Sequence, residues 1–285
     1  MVLGIGPYVG DFANEIITFR PYARFLSDAY KSSKDVYVGT HFNRSFLYDF
    51  LPQDNIIPVY LNLTRDETNQ RGYIHKSLSR KDFSILVKNF KDEILNRCNC
   101  NKKDIDIHTL RYSTSLLQYS IYNKIFEPIS IPNDIDITDY NNPIVFIPYK
   151  NENIRKMEKL YFSLKERYNN VIVIGDIKTH LSNNNIIFNY IDYFENSYKY
   201  IMKYISCAKV VICPLSHWTL ICNLQNVPVF SWGSSPGQYL EDGIYHFENK
   251  KSLVFTADKH TNIDTILNMF EYFLEEKLNE NKNIS

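Results

Sequence analysis

Residues 210–237, VVICPLSHWTLICNLQNVPVFSWGSSPG, decide the fold of this chain. The stretch predicts a buried strand, a turn that begins at Pro214 and carries Ser216 and His217, a short helix, and a second buried strand that ends in a Gly/Ser/Pro loop. In such a βαβ unit, the N-terminus of the helix and the ends of both strands lie at the same edge of the sheet. Free backbone N–H groups at that edge can bind an anion, usually a phosphate. We therefore expect the chemistry of the protein at this edge.

The rest of the chain shows the same alternation of strands and helices on both sides of a linker. Residues 128–142, PISIPNDIDITDYNN, are rich in Pro, Asp and Asn and lack a helical period. Continuous Val/Ile runs separated by helices predict parallel sheets that are buried on both faces. We predict an α/β protein with two Rossmann-like α/β/α domains that face a central cleft. The predicted segments are a first domain at 1–133, a linker at 134–142, a second domain at 143–262, and a C-terminal helix and tail at 263–285 that can cross back to the first domain.

The hydrophobic pattern also predicts individual elements. Before the linker, apolar runs that fit strands lie at residues 1–5, 35–40, 56–63 and 105–110, and helical spacing predicts helices at 12–30, 41–51 and 82–95. Pro21 is expected to kink the first of these helices. After the linker, apolar runs lie at 144–148, 171–175, 186–190, 209–213 and 227–232, and helices are predicted at 154–168, 198–206, 216–224 and 263–278.

Composition limits the classes of function. Lys plus Arg and Asp plus Glu both number 32, so no overall basic charge favours nucleic acid or anionic membrane. The hydrophobic fraction of 44% is ordinary for a globular protein, and no run reaches the length of a membrane span or of a signal peptide. Five cysteines without regular spacing predict reduced thiols and a cytoplasmic location. Cys98 and Cys100 lack the partner ligands of a zinc site and are interpreted as loop thiols.

Polar residues follow the first predicted strand. Asp11 lies where the first loop meets its helix, and Glu15 lies one turn later. A carboxylate there can act as the general base that deprotonates an acceptor hydroxyl, with Asp11 the first candidate and Glu15 the reserve. Gly10 lets the backbone approach a ligand, and Asn14 can contact a substrate. The alternative interpretation is that Asp11 caps the helix and that Asn14 and Glu15 belong to its first turn.

The second domain offers candidate ligands for a diphosphate. His217, next to Ser216 at the start of a helix, can stabilise the negative charge that grows on a leaving group. The alternative is that Ser216 caps the helix and His217 packs beside Trp218. The cations that follow the first strand of this domain can reach a phosphate, or can be a solvated helix start. The substrate-binding candidates of this domain are Ser216, the cations Lys150, Arg155 and Lys156, and Trp232, Gly233, Ser234 and Ser235 in the loop after the last strand, which can instead be an ordinary turn.

Two Asp-x-Asp triplets are candidate metal motifs. They occupy residues 104–106 and 134–136. The first follows a polar turn and the second lies in the predicted linker, so we interpret both as structural and predict no metal site and no cofactor.

Three segments of the chain resemble the heptosyltransferase-like branch of the GT-B glycosyltransferases. GDFANEIITFRPYARFL, which starts at Gly10, resembles the opening G-D…P-x-x-R-x-L of that family. IPYKNENIRKMEKLYFSLKERYNNVIVIGD resembles the first strand–helix–strand of its donor domain, and it ends at Gly175 and Asp176, which we add to the substrate-binding candidates. PLSHWTLICNLQNVPVFSWG is similar to its G-x-x-H-L-x-x-A-L-x-x-P-x-x-x-x-F-G.

The resemblance implies an enzyme that transfers a hexosyl or heptosyl group from a nucleotide-sugar donor to the hydroxyl of a glycan or other acceptor, without a metal ion. Two other functions remain open. One is a protein of the same fold that binds a nucleotide or glycan without turnover, and the other is a nucleotide-sugar epimerase or hydrolase.

Overall fold

The computed structural model describes residues 1–10, 12, 15–60, 78–98, 100–109, 127–131, 141–148, 153–174, 197–233, 252–257 and 260–282. The chain forms two units, each built around its own parallel sheet. Unit 1 consists of Met1–Pro132 with Tyr193–Lys199, and unit 2 consists of Asn133–Asp192 with Tyr200–Ser285. The two parallel sheets confirm the predicted α/β class with two Rossmann-like domains, and the central cleft stays a prediction.

Unit 1 contains a sheet of four parallel strands in the order β3-β2-β1-β4. The predicted strands are confirmed: β2 is one residue longer than the run at 35–40, and the other three strands are shorter than their runs. The bounds are β1 Val2–Ile5, β2 Asp35–His41, β3 Ile56–Val59 and β4 Ile105–His108, with helices α1 Arg20–Tyr30 and α2 Arg80–Cys98 and 3₁₀ turns at Phe42–Tyr48, Gln53–Asn55 and Lys102–Asp104.

The segment predicted as one kinked helix is two pieces. Glu15–Phe19 forms a π-helical turn, and α1 begins immediately after it. Pro21 lies in the first turn of α1, where its missing N–H and fixed φ are tolerated. The helix predicted at 41–51 is a 3₁₀ segment at Phe42–Tyr48. Its helical spacing is confirmed, but the sequence pattern did not predict the tighter 3₁₀ winding.

Helix α2 covers one face of the unit 1 sheet, as its amphipathic pattern predicts. Phe90 and Ile94 are buried, and they pack against Tyr37, Ile57 and Ile105 from three strands.

Unit 2 contains five parallel strands in the order β6-β5-β7-β8-β9. The last strand, β9, was not predicted, and the apolar run at 186–190 lies outside the described residues. The bounds are β5 Ile144–Phe146, β6 Val171–Val173, β7 Val210–Pro214, β8 Val229–Gly233 and β9 Ser252–Thr256, with helices α3 Ile154–Arg167, α4 Ser197–Ser206, α5 His217–Leu224 and α6 Ile263–Lys282.

The C-terminal helix α6 packs against its own unit. The ring of Phe270 lies 5.6 Å from the ring of Phe230 on β8, and Arg167 at the end of α3 forms an ion pair of 2.6 Å with Glu271. The predicted crossing of this helix back to the first domain stays a prediction. The buried apolar residues of α6 are Ile266, Leu267, Phe270, Phe273 and Leu274.

The cysteines differ from the sequence-based expectation at one place. Cys98 and Cys100 form a disulfide across a single intervening residue, whereas the sequence predicted two free loop thiols. The Cα atoms of the two residues are 5.3 Å apart, a distance that the spacing in the sequence does not show. Cys207, Cys213 and Cys222 are free. Among the described residues, no helix is both long and apolar enough to cross a membrane.

Candidate functional site

The loop after β1 is fixed directly over the neighbouring strands. Gly6 N–H donates to the carbonyl of His108 at 2.9 Å, and Tyr8 N–H donates to the carbonyl of Gly39 at 2.8 Å. Gly6 has a φ of +104°, and a Cβ there would lie 2.8 Å from the oxygen of Gly39. A glycine is therefore required where this loop leaves the carboxyl end of the sheet.

Gly10 ends the described part of this loop. Its carbonyl accepts a hydrogen bond of 2.7 Å from Nη1 of Arg44. Asp11 and Asn14, the predicted base and a predicted substrate contact, lie outside the described residues. Their roles stay predictions.

Glu15, the reserve candidate for the base, lies in a buried polar network. Its side chain has no exposed surface. Oε2 accepts from Nη1 of Arg44 at 2.9 Å, and Oε1 accepts from the hydroxyl of Tyr48 at 2.7 Å and from the hydroxyl of Thr40. Burial raises the pKa of Glu15, and the positive charge of Arg44 and the two hydroxyl donors act in the opposite direction.

The pKa shifts of Tyr48 and Arg44 keep both residues protonated, so both can donate hydrogen bonds to Glu15. Burial raises the pKa of the Tyr48 phenol well above its ordinary value, and the Glu15 carboxylate adds to this shift. The phenol therefore remains a hydrogen-bond donor at neutral pH. The charge of Glu15 raises the pKa of Arg44 despite complete burial, which keeps the guanidinium charged.

Two stacked aromatic rings lie beside the guanidinium of Arg44. Its carbon lies 5.8 Å from the ring centre of Phe12 and 5.3 Å from that of Tyr198, and these two rings stack at 4.0 Å. Such cation–π contacts favour a fixed orientation of the guanidinium plane. Sequence reasoning missed Arg44, Thr40 and Tyr48. The available signal was one arginine inside the largely apolar run that surrounds the 3₁₀ segment.

In unit 2, the predicted order of strand, turn and helix is present, although Pro214 ends β7, and Ser216 caps the helix as in the alternative interpretation of this turn. Leu215 N–H donates to the carbonyl of Trp232 at 2.7 Å, which fixes the turn to the end of β8. Ser216 is the N-cap of α5: its hydroxyl accepts from the N–H of Trp218 at 3.3 Å, and Thr219 completes a capping box. His217 is the first residue of the helix, and its side chain lies outside the described atoms.

A cluster of small polar side chains holds the start of α5 against the sheet. The hydroxyls of Thr219 and Ser231 are 2.8 Å apart, and Sγ of Cys213 lies 3.4 Å from the Ser231 hydroxyl. All three side chains are fully buried. The cluster links β7, β8 and α5 near the carboxyl ends of the two strands. It therefore fixes the start of α5 at the edge of the sheet where the sequence predicts an anion.

The remaining substrate-binding candidates of unit 2 are only partly described. Trp232 is buried in the core of this unit, with 2% of its surface exposed, and Nε1 has no hydrogen-bond partner among the described residues. Gly233 is half-buried at the end of β8. At the start of α3, Asn153 caps the helix by accepting from the N–H of Lys156 at 3.3 Å, and Arg155 is exposed. The candidates outside the described residues are Lys150, Gly175, Asp176, Ser234 and Ser235.

The first Asp-x-Asp triplet has local partners. Asp106 lies 3.3 Å from Nε2 of His108 and 3.7 Å from Nζ of Lys34. The second triplet lies outside the described residues. Within the described ranges, no group of three or more His, Cys, Asp or Glu side chains is arranged as metal ligands.

Comparison with known proteins identifies the fold. No family model matches the sequence, and no curated protein matches it significantly. A glycosyl transferase of family 9 from Veillonella parvula DSM 2008 matches with a TM-score of 0.59 and 10% identity over 96% of this chain and 97% of that one. The E. coli ADP-heptose LPS heptosyltransferase II matches with a TM-score of 0.52 and 14% identity over 97% and 99%.

A third structure has a different catalytic activity. A proposed UDP-N-acetylglucosamine 2-epimerase from Listeria monocytogenes matches with a TM-score of 0.51 and 9% identity over 95% of this chain and 87% of that one. The similarity expected from the three sequence segments is thus found at the level of the fold. The chain has the GT-B-like fold that these glycosyltransferases and this epimerase share.

Proposed function

We propose that the protein is a glycosyltransferase of the GT-B type that transfers a sugar from a nucleotide-activated donor to an acceptor hydroxyl without a metal ion. The observation that carries the proposal is the match to the family 9 glycosyl transferase, which extends over nearly the whole of both chains. The same fold also serves an epimerase, so the fold alone does not select the reaction. The three motif-like segments favour transfer.

In this proposal, unit 1 presents the acceptor and Asp11 is the general base. Asp11 takes the proton of the acceptor hydroxyl as that oxygen bonds to the sugar C1, while the bond between C1 and the nucleoside diphosphate breaks. The hydrogen bonds that fix the loop after β1 support the assignment, because a base must be held within hydrogen-bond reach of its proton.

Unit 2 binds the donor in this proposal. The diphosphate lies at the edge formed by the ends of β7 and β8 and the N-terminus of α5, with His217 and a cation among Lys150, Arg155 and Lys156 near its oxygens. The buried cluster that holds the start of α5 against the sheet supports the assignment, because a rigid site stabilises the charge of the leaving group without reorganising.

Substitution of one residue in each unit tests this division of labour. Asp11→Asn is expected to lower kcat by about 10²–10⁴-fold with nearly unchanged nucleotide affinity, because only the base is lost. His217→Ala is expected to weaken binding of the nucleoside diphosphate and to lower kcat/KM. Calorimetric titration of each variant with a nucleoside diphosphate, beside steady-state rates, measures both effects. Full turnover by Asp11→Asn, or loss of its nucleotide binding, would contradict the proposal.

The epimerase match makes a second activity worth testing. A thermal-shift screen with nucleoside diphosphates and their sugars first identifies the donor, since a ligand that binds the native state raises its stability. Conversion of that donor without an acceptor would indicate an epimerase or hydrolase instead of a transferase. Loss of transfer in EDTA with recovery in Mn²⁺ would contradict the metal-independent mechanism.

A further inference from the structure

Arg44 connects the buried carboxylate of Glu15 to the loop that precedes the proposed base. One nitrogen, Nη1, donates to Oε2 of Glu15 at 2.9 Å and to the carbonyl of Gly10 at 2.7 Å. Gly10 is the residue immediately before Asp11. The Arg44 side chain is 2% exposed and that of Glu15 is fully buried, so solvent does not compete for these bonds.

The geometry of Glu15 suits a fixed counter-ion better than a base. Each carboxylate oxygen already accepts a hydrogen bond, and Oε1 accepts two, from Thr40 and Tyr48. An acceptor hydroxyl would have to displace one of these donors from a side chain with no exposed surface. A general base needs direct access to the proton that it removes.

In the described part of the loop that follows β1, hydrogen bonds fix the backbone groups of Gly6, Tyr8 and Gly10. The amides of Gly6 and Tyr8 donate to His108 and Gly39, and the carbonyl of Gly10 accepts from Arg44. The first two bonds come from the neighbouring strands. Of these three bonds, only the third is made by a side chain, that of Arg44. Glu15 neutralises the charge of Arg44, and the rings of Phe12 and Tyr198 orient its guanidinium.

We propose that Arg44, held in place by Glu15, is the positioning residue for the loop that carries the catalytic base. The inference rests on the proposed function, in which Asp11 is that base. Arg44 acts through the backbone of Gly10 and does not contact the reacting atoms. Because a displacement of about 1 Å at a reacting group can lower a rate by about 10²-fold, the pair sets kcat and leaves donor affinity unaffected.

The test compares Glu15→Gln and Arg44→Lys with the control Asp49→Asn. Asp49 also pairs with a buried arginine of unit 1, at 2.9 Å from Nη2 of Arg20, and that arginine also donates to backbone carbonyls. Those carbonyls belong to Leu47 and Glu127, neither of which is part of the loop at residues 6–10. The control therefore disturbs a similar ion pair without releasing Gly10.

Glu15→Gln and Arg44→Lys are expected to lower kcat by about 10²-fold with unchanged donor KM, whereas Asp49→Asn lowers kcat by less than about threefold at a comparable melting temperature. The dependence of kcat on pH should keep its acidic limb in Glu15→Gln, because Asp11 remains the titrating base. Loss of that limb would identify Glu15 itself as the base and overturn the inference.

Amide hydrogen exchange gives a readout that does not require activity. Exchange in peptides that cover residues 6–12 should accelerate in Glu15→Gln and Arg44→Lys, and it should not change in Asp49→Asn. If the wild-type protein transfers no sugar, the proposed function fails, but exchange still shows whether Arg44 holds the loop. Unchanged exchange in both variants would overturn the inference.

A milder variant covers the case in which Glu15→Gln does not fold. Tyr48→Phe removes one hydrogen bond of 2.7 Å to Glu15 and keeps the ring. It is expected to lower kcat by about three- to tenfold, in the same direction as Glu15→Gln, with faster exchange at residues 6–12. Wild-type kcat and wild-type exchange in this variant would contradict the proposed chain of contacts.

Discussion

Gly6 combines a positive φ with close backbone neighbours, so a side chain is not tolerated there. Its φ of +104° is unfavourable for other residues, and a Cβ would meet the backbone of Gly39 at 2.8 Å and of Tyr8 at 2.9 Å. Gly6→Ala is expected to lower the free energy of unfolding by about 1–3 kcal/mol, measured by urea denaturation. The control is Gly233→Ala, whose Cβ would meet the side chain of Leu215 and should cost less. Equal losses in the two variants would contradict this account.

The cysteines provide a second test at the residue scale. Burial raises the pKa of Cys213 from 9.0 to about 11, and it raises that of Cys222 well above 9.0. At pH 8, only about one Cys213 side chain in a thousand is the reactive thiolate. The native protein should therefore show one fast thiol toward a disulfide reagent, at the half-buried Cys207.

Unfolding and reduction should expose the remaining thiols in two steps. Denaturation without reductant should give three reactive thiols, and reduction should then add those of Cys98 and Cys100. Five reactive thiols before reduction would contradict the disulfide.

Because the folded pKa of Cys213 is raised, its contribution to stability is complete below about pH 9 and is lost as the pH rises toward 11.

At the scale of elements, helix α1 anchors the chain segment that leads out of unit 1. Arg20 is buried and donates to the carbonyls of Leu47 at 2.6 Å and of Glu127 at 2.9 Å, besides its ion pair with Asp49. Asp49 in turn accepts from the N–H of Ser130 at 3.0 Å. The segment at residues 127–131 is thus held by a buried arginine and its counter-ion, shortly before the end of the first part of unit 1 at Pro132.

Two arginines one turn apart on α1 make a matched pair for testing this anchor. Arg20→Met is expected to cost about 3 kcal/mol, since it removes one partner of a mostly buried pair and leaves backbone carbonyls unpaired. Arg24→Met should cost less than about 1 kcal/mol, because the ion pairs of Arg24 with Asp28 and Glu127 are largely exposed. Urea denaturation measures both, and limited proteolysis at residues 127–131 reports the local effect. Similar losses of unfolding free energy in the two variants would show that the buried bonds of Arg20 do not anchor this segment.

At the scale of the whole molecule, each unit has its own core. Phe230 is fully buried in unit 2, with the rings of Phe270 at 5.6 Å and Phe273 at 6.1 Å. Phe230→Ala is expected to cost about 3–5 kcal/mol through loss of burial and formation of a cavity. Hydrogen exchange should accelerate in peptides from β5–β9 and α6 and change little in β1–β4.

The reciprocal variant is Leu3→Ala, at a fully buried position of β1. It should accelerate hydrogen exchange in the strands of unit 1, because a buried side chain is lost and a cavity is left. The expected loss of unfolding free energy is about 2–5 kcal/mol. Equal acceleration in both sheets by either variant would show that the two units unfold as one cooperative body.

The sequence by itself determined the two parallel sheets and most of the helices, and it offered the Ser216 cap as one of two interpretations of the turn before α5. These features follow from patterns within one segment: apolar runs for buried strands, helical spacing for α2, α3 and α6, and a Ser that precedes a helix. The missed strand β9 shows the limit of such patterns. Its residues Leu253, Val254 and Phe255 are half-buried at the edge of the sheet, and they form too short a run to be distinguished from a loop.

Only the tertiary structure decided the environment of Glu15. Glu15 and Arg44 are 29 residues apart in the sequence, and Tyr48 and Thr40 reach the same carboxylate from the segment that follows β2 and from β2 itself. In the sequence, Glu15 is simply an acidic residue near the start of a helix, where such residues are common. Its burial and its bonds depend on which distant segments meet, because desolvation and ion pairing are properties of the packed interior and not of local sequence.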